Sequence, residues 1–545
     1  MTVPARLAAA FRSRRSVVCL LVGLVALALW APRGFGPIDL RWDGGAYYIL
    51  GTSLAEGDGY RIRSEPGNLP SSLHPPLLPA LVALHELALQ SRDPVVVGRA
   101  LRLSLALCSA AYAVAIFLLL SASLPLALAA GVSLVAILQP QYAFFSDALF
   151  TEGLFGLFTV LFFVVRTWRR DALGFALCGV CAVLAYETRT AGIALLLAWV
   201  VDHALRKEGR RAIAALAVSA LVVVSWNGWI QAVESSPEYK QPAYAYQTET
   251  WVWFNVSYAR NLLTYLDPTS PELGLLTPGG FVRRVTSNLQ VLPQSIGEAV
   301  SGWWTPRGLT IPLAALVLVG LVLLARREFV LVLYVALSFA AVCTTPFQSQ
   351  FRRYLLPLYP FLALALFGFL AWLAARVRLR WPAMPQALPA AFPWAMLALV
   401  GARATIETLD LHANHHQQAS YVQNGRPVTH RLFFYDAEAA ALDAALDWLA
   451  SRADPGDVLA ASDPPWAYVR TGRRTVLAPF AFDGREGQRQ IDSVPVRYLV
   501  TSPEIEPHRR FTARLLSANP EAWRQVWSGA DGAVLIHERV GTPRP

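Results

Sequence analysis

Apolar runs dominate the chain. They lie near residues 16–32, 100–120, 123–139, 149–165, 171–187, 190–205, 211–230, 309–325, 328–345, 354–375 and 388–404, and most approach the roughly 20 residues that a helix needs to cross a hydrocarbon core. The pattern predicts a polytopic α-helical membrane protein with about 11 transmembrane helices. No small-x-small cleavage site follows Trp30, so the first run reads as a span rather than a removable leader. Polar stretches between runs are mostly short, but three are long: 33–98, 231–308 and everything after 405.

Beyond 405 the period changes. "DAEAAALDAALDWLASRADPGDVLAAS" has helical spacing, then a Pro-Gly turn and a short strand. "RTVLAP", "VRYLVTS", "RQVWSG" and "AVLIHERV" read as further strands. This predicts a small extracytoplasmic α/β domain at 405–545 after a membrane domain at 1–404 with outer loops 33–98 and 231–308. "HANHH", with His412, His415 and His416, reads as a flexible loop after the last span.

Charge orients the chain. Arg14/Arg15, Arg166/Arg169/Arg170, Arg206/Lys207/Arg210/Arg211, Arg326/Arg327 and Arg376/Arg378/Arg380 each flank a span, and all fall on one side if the N-terminus is cytoplasmic. The three long segments are then periplasmic. The net charge of +10, with 55% hydrophobic residues, is therefore a topological signal, and nucleic acid is not the expected partner. Lys207 and Lys240 are the only lysines among 47 basic residues, a bias that points to GC-rich bacterial coding and an inner membrane. The cysteines lie inside apolar runs and suggest neither a disulfide framework nor a zinc ribbon.

Ionisable groups are costly at membrane depth, yet several gather at the outer ends of spans. Asp43 follows the first span, Asp147 and Glu152 open the fourth, Glu187 and Arg189 occupy the turn "ETRTAG", and Arg352 and Arg353 precede the tenth. Each has a plain structural reading: helix capping for Asp43, Asp147 and Glu152, a local pair for Glu187 and Arg189, and snorkelling to lipid headgroups for Arg352 and Arg353. The chemical reading is that arginine forks hold a phosphate while a carboxylate takes a proton from an attacking hydroxyl. Trp251, Trp253, Trp303 and Trp304 fit either a sugar-stacking surface or an interfacial aromatic belt.

"WDGGAYYILGTSLAEGDGY" followed by "HPPLLPALVAL", then "SDALFTEGLFGLF", "ETRTAG" and "FRRYLLPLYPFLALAL", in this order and sidedness, resembles the GT-C superfamily of polyprenyl-phosphate-dependent glycosyltransferases. The resemblance is to bacterial family 39-like members related to protein O-mannosyltransferases and the lipid A aminoarabinose transferase. It covers roughly residues 15–405. It implies a GT-C-like fold and transfer of a sugar from a polyprenyl-phosphate donor to a hydroxyl acceptor, which can be a glycan, lipid or protein.

The resemblance also implies roles for individual residues. Asp43 matches the catalytic base. Asp147 or Glu152 matches the second acidic motif, and Arg352, Arg353 and Arg189 match donor-phosphate contacts. Tyr47, His74, Glu187 and Tyr354 are candidate substrate contacts. Gly44 stands where many members carry a second acid, which leaves a divalent metal ion open. The alternatives to be separated are a lipid-linked saccharide flippase or transporter and a polysaccharide polymerase or ligase that uses a pyrophosphate-linked donor.

Overall fold

The structure is a computed structural model that describes residues 14–34, 36–250, 255–302, 305–423, 426–502 and 506–541. In chain order its principal helices are α1 (Arg14–Trp30), α2 (Asp43–Ala55), α3 (Leu77–Leu89), α4 (Pro94–Leu120), α5 (Leu126–Leu138), α6 (Glu152–Trp168), α7 (Ala172–Thr188), α8 (Ile193–Leu205) and α9 (Gly209–Ser235). There follow α10 (Pro278–Ser301), α11 (Arg307–Ala325), α12 (Phe329–Thr344), α13 (Tyr359–Arg380), α14 (Ala387–Asn414), α15 (Ala437–Arg452), α16 (Pro464–Thr471), α17 (Gly484–Ile491) and α18 (Glu506–Ala518). Each of the eleven apolar runs coincides with one of these helices. Among the described residues six helical stretches are long and apolar enough to cross a membrane: Arg14–Arg33, Pro94–Leu120, Gly209–Ser235, Arg307–Ala325, Gln348–Arg380 and Ala387–Asn414. Five further apolar helices are shorter, α3, α5, α7 and α12 among them.

The chain divides into two compact units, each assembled from three separated stretches. The first comprises Met1–Gly34, Leu103–Val223 and Arg284–Ala413. Its interior is aromatic and aliphatic: Phe163 of α6, Tyr334 of α12 and Phe361 of α13 meet with ring centroids 5.1–5.6 Å apart, in the tilted or edge-on arrangements that aromatic rings favour. At the C-terminal ends of α6 and α8 the polar groups pair among themselves. Arg166 bonds Asp202 at 3.0 Å and Glu328 at 2.6 Å, and Arg206 bonds Asp202.

The second unit comprises Phe35–Arg102, Val224–Arg283 and Asn414–Pro545. Strands β1 (His416–Gln423) and β2 (Arg426–Phe433) form an antiparallel pair. Strands β3 (Val458–Ala460), β4 (Thr475–Val476), β5 (Val496–Thr501), β6 (Trp523–Gly529) and β7 (Val534–Arg539) form one sheet in the order β4-β3-β5-β7-β6, parallel through β5 and antiparallel beyond. The strand runs expected after 455 are therefore present. The first hairpin is not among those expectations, and it corrects the loop reading of "HANHH": His412 is helical and His416 opens β1, buried against the Phe433 ring at 4.3 Å. Its polar strands carry little apolar alternation; the hairpin signal is Asn424-Gly425, a pair outside the described residues.

The sheet's core also takes residues from the long segment between α9 and α10. Tyr244 and Tyr246 pack with Val458, Val476, Phe480, Leu499 and Phe511, and the Tyr246 hydroxyl donates to the Leu477 carbonyl at 3.1 Å. Glu65, in the segment between α2 and α3, accepts from the Tyr244 hydroxyl at 3.1 Å, Asn255 at 2.9 Å and Gln247 at 3.3 Å. Thr475 N donates to the Ser64 carbonyl at 2.7 Å. Backbone and side-chain bonds thus join three distant sequence stretches into one body.

Candidate functional site

In the first unit, Thr151 precedes α6, and Glu152 opens it with its side chain fully buried. A lone carboxylate there would be costly, and two arginines compensate it. Arg189, extended at the end of α7, donates through Nη1 to Glu152 Oε1, and Arg353 donates through Nε to the same oxygen. Arg189 also reaches Thr151 Oγ1 at 3.3 Å. Its guanidinium lies 5.6 Å from the Tyr354 ring, and that of Arg353 lies 4.6 Å from Phe150 and 5.6 Å from Phe145, all within cation–π range.

Four sequence-selected residues, Glu152, Arg189, Arg353 and Tyr354, therefore converge. The local pairing of Glu187 with Arg189 is not formed; Glu187 is half-buried at the end of α7 while Arg189 turns to Glu152. Arg352 is exposed and pairs with Glu298 at 2.7 Å. Asp147 is buried in the turn after the short helix Pro140–Phe145. Arg33, which was not among the sequence candidates, braces that turn by bonding the Ala143 carbonyl and, at 2.7 Å, Ser146 Oγ. Its only sequence signal is a charge just beyond the first span.

In the second unit, Asp43 is the first residue of α2 and half-buried. It does not cap α2; the N-cap position belongs to Trp42, whose φ of 58° and ψ of −131° are unusual for so bulky a residue. Neighbours hold that backbone. Trp42 N donates to Asp463 Oδ2 at 2.7 Å, and Asp463 Oδ1 accepts from Trp466 N, capping α16. Arg41 bonds Asp39 at 2.7 Å and the carbonyls of Phe433 and Phe434 at 2.6 and 3.2 Å. Burial opposes ionisation of Asp39, but the Arg41 guanidinium outweighs it and holds the carboxyl below the usual carboxylate range. Arg41 and Asp463 are not recognisable from local sequence, because Arg41 reaches Phe433 and Phe434 across 392 and 393 positions and Asp463 reaches Trp42 across 421.

Tyr47, one turn after Asp43, is buried with its ring 4.7 Å from that of His74. The His74 carbonyl accepts from Tyr60 at 2.8 Å. These two candidates meet each other. Trp251, Trp253, Trp303 and Trp304 lie outside the described residues. Among the described residues no group of three His, Cys, Asp or Glu side chains is placed to hold a metal ion.

No family model matches the sequence, and no curated protein does. Solved structures do match. The archaeal oligosaccharyltransferase AglB of Archaeoglobus fulgidus, in complex with an inhibitory peptide and a dolichol-phosphate, aligns with a TM-score of 0.56 and 12% identity over 96% of this chain and 74% of its own. ArnT of Cupriavidus metallidurans bound to undecaprenyl phosphate aligns at 0.52 with 15% identity over 97% and 98%. An Archaeoglobus fulgidus oligosaccharyltransferase tethered to an acceptor peptide aligns at 0.54 with 12% identity over 98% and 75%. At these identities the shared property is the fold alone.

Proposed function

We propose that this protein is a membrane glycosyltransferase that moves a sugar from a polyprenyl-phosphate carrier to an acceptor hydroxyl on a glycan, lipid or protein. In this reading it spans a bacterial inner membrane with its N-terminus cytoplasmic. Residues 1–404 carry the transfer site, and residues 405–545 are an extracytoplasmic accessory domain. The observation that carries the reading is the convergence of Arg189 and Arg353 on one buried carboxylate, in a chain whose fold is shared with a protein solved with undecaprenyl phosphate. Two planar guanidinium forks gathered at one locus suit the oxygens of a phosphodiester-linked sugar. Partial burial strengthens that attraction.

The acceptor hydroxyl attacks the anomeric carbon, the bond to the carrier phosphate oxygen breaks, and the configuration inverts. Asp43 accepts the hydroxyl proton, a contribution of about 10²–10⁴-fold. Arg189 and Arg353, with Arg352 next to Arg353 in sequence, offset the second negative charge that develops on the departing phosphate. Asp147 and Glu152 supply the second acidic motif, Glu152 by keeping the two arginine forks in place.

The test is transfer of a labelled sugar from a synthetic polyprenyl-phosphate donor by the purified full-length protein. Asp43→Asn should lower kcat by about 10²-fold or more, and Arg353→Ala should raise the donor KM or lower kcat. Unchanged turnover in a well-folded Asp43→Asn variant removes Asp43 as the base; unchanged donor kinetics in Arg353→Ala remove the phosphate assignment. Running the assay with and without a chelator reads metal dependence.

A further inference from the structure

At the junction of β1, β2 and α15 the second unit holds a cavity of about 460 Å³, within the roughly 300–1,000 Å³ of small-molecule sites. Its lining combines the exposed amides of Asn414, Gln417 and Gln418, the rings of Phe434 and Tyr435, and the carboxylate of Asp436. Amides both donate and accept, a carboxylate accepts from hydroxyls, and aromatic rings cover the C–H faces of a sugar. No lysine or arginine is among the lining residues, whose one imidazole, that of His415, lies with its ring 5.5 Å from Phe434; with Asp436 as the lining's carboxylate, the chemistry favours a neutral polyol over a phosphate. We propose that this cavity is a subsite for a glycosyl unit of the acceptor; the assignment to the acceptor rests on the transfer reaction proposed above.

Phe434 supports a built site. Its φ of 51° is left-handed, a conformation that is unfavourable for a bulky residue and persists where the surroundings enforce it. Here Phe434 N donates to the His415 carbonyl at 2.7 Å, and the Phe434 carbonyl accepts from Arg41 at 3.2 Å. The same guanidinium lies 5.6 Å from the Tyr435 ring, and Arg41 is two residues before Asp43. The cavity wall and the approach to the proposed base therefore share one arginine. Asp436 Oδ1 caps α15 by accepting from Ala439 N at 2.9 Å, which fixes where that carboxylate stands.

Saturation-transfer NMR on the full-length protein in nanodiscs tests this with methyl α-mannopyranoside, methyl α-arabinofuranoside and inorganic phosphate as probes. Saturation should reach the ring protons of at least one glycoside and persist when phosphate is added. Phe434→Gly, which tolerates the positive φ, and Gln418→Ala, at an exposed position, should each weaken the signal by about fivefold; Phe434→Trp should retain it. Absence of transfer to both glycosides, equal signals in wild type and Phe434→Gly, or displacement by phosphate overturns the proposal. The free glycosides need no donor and undergo no turnover, so this outcome is independent of whether Asp43→Asn abolishes transfer.

Discussion

The Asp463 carboxylate accepts the backbone N–H of Trp42 at 2.7 Å, so a residue of the C-terminal segment holds the strained peptide immediately before Asp43. The same carboxylate caps α16. Removing it releases a backbone that has no intrinsic preference for its conformation.

Asp463→Ala should therefore lower kcat by up to about 10²-fold, the cost of a displacement near 1 Å at a reacting group, with a smaller effect on donor KM. Asp463→Asn keeps one acceptor oxygen and should lose less. Steady-state transfer with a labelled donor, alongside thermal unfolding, separates this effect from simple destabilisation; equal kcat in wild type and Asp463→Ala refutes it.

Glu152→Gln leaves two guanidiniums without their shared anion. Breaking a buried pair in this way costs about 3–5 kcal/mol, and Tm should fall. Added polyprenyl phosphate should then raise the variant's Tm more than that of the wild type, because an external anion replaces the lost carboxylate. A thermal-shift series with and without the lipid phosphate reads both effects.

Glu65 gives a pH signature. Burial pushes its carboxyl up to about 7, against the opposing hydrogen bonds from Asn255, Gln247 and Tyr244. The folded state then binds a proton that the unfolded chain, at an ordinary value near 4.3, releases. Its contribution to stability is complete at low pH and is lost as pH rises from about 4.3 through 7. His430, which burial lowers to about 4, contributes in the opposite direction, losing stability as pH falls below about 6.5. The readout is therefore the difference between wild type and Glu65→Gln: the variant should gain Tm relative to wild type at pH 8 and lose that advantage at pH 5.

Gly51→Ala should lower Tm by several degrees. A Cβ at position 51 would fall 2.5 Å from Val82 Cβ and 2.7 Å from the Pro79 carbonyl, so α2 and α3 would have to separate. Differential scanning calorimetry checks this, and an unchanged Tm would show that the two helices give way freely.

Much was legible in the chain. Spacing of apolar residues gave the helices, because a spanning segment must be apolar along its own length whatever it packs against. Charges at span ends gave Glu152, Arg189 and Arg353 as candidates. The partners were not legible: Glu152 lies 37 residues from Arg189 and 201 from Arg353, and the local reading paired Arg189 with Glu187 instead.

The sequence by itself determined a polytopic helical protein with an α/β segment at its end and acids and arginines at span termini, since these properties are encoded in short-range periodicity and composition. Only the tertiary structure decided that Glu152 gathers two arginines, that Tyr244 and Tyr246 complete the core of a distant sheet, and that Asp463 fixes Trp42. Those outcomes depend on burial, and burial is set by which distant segments pack together.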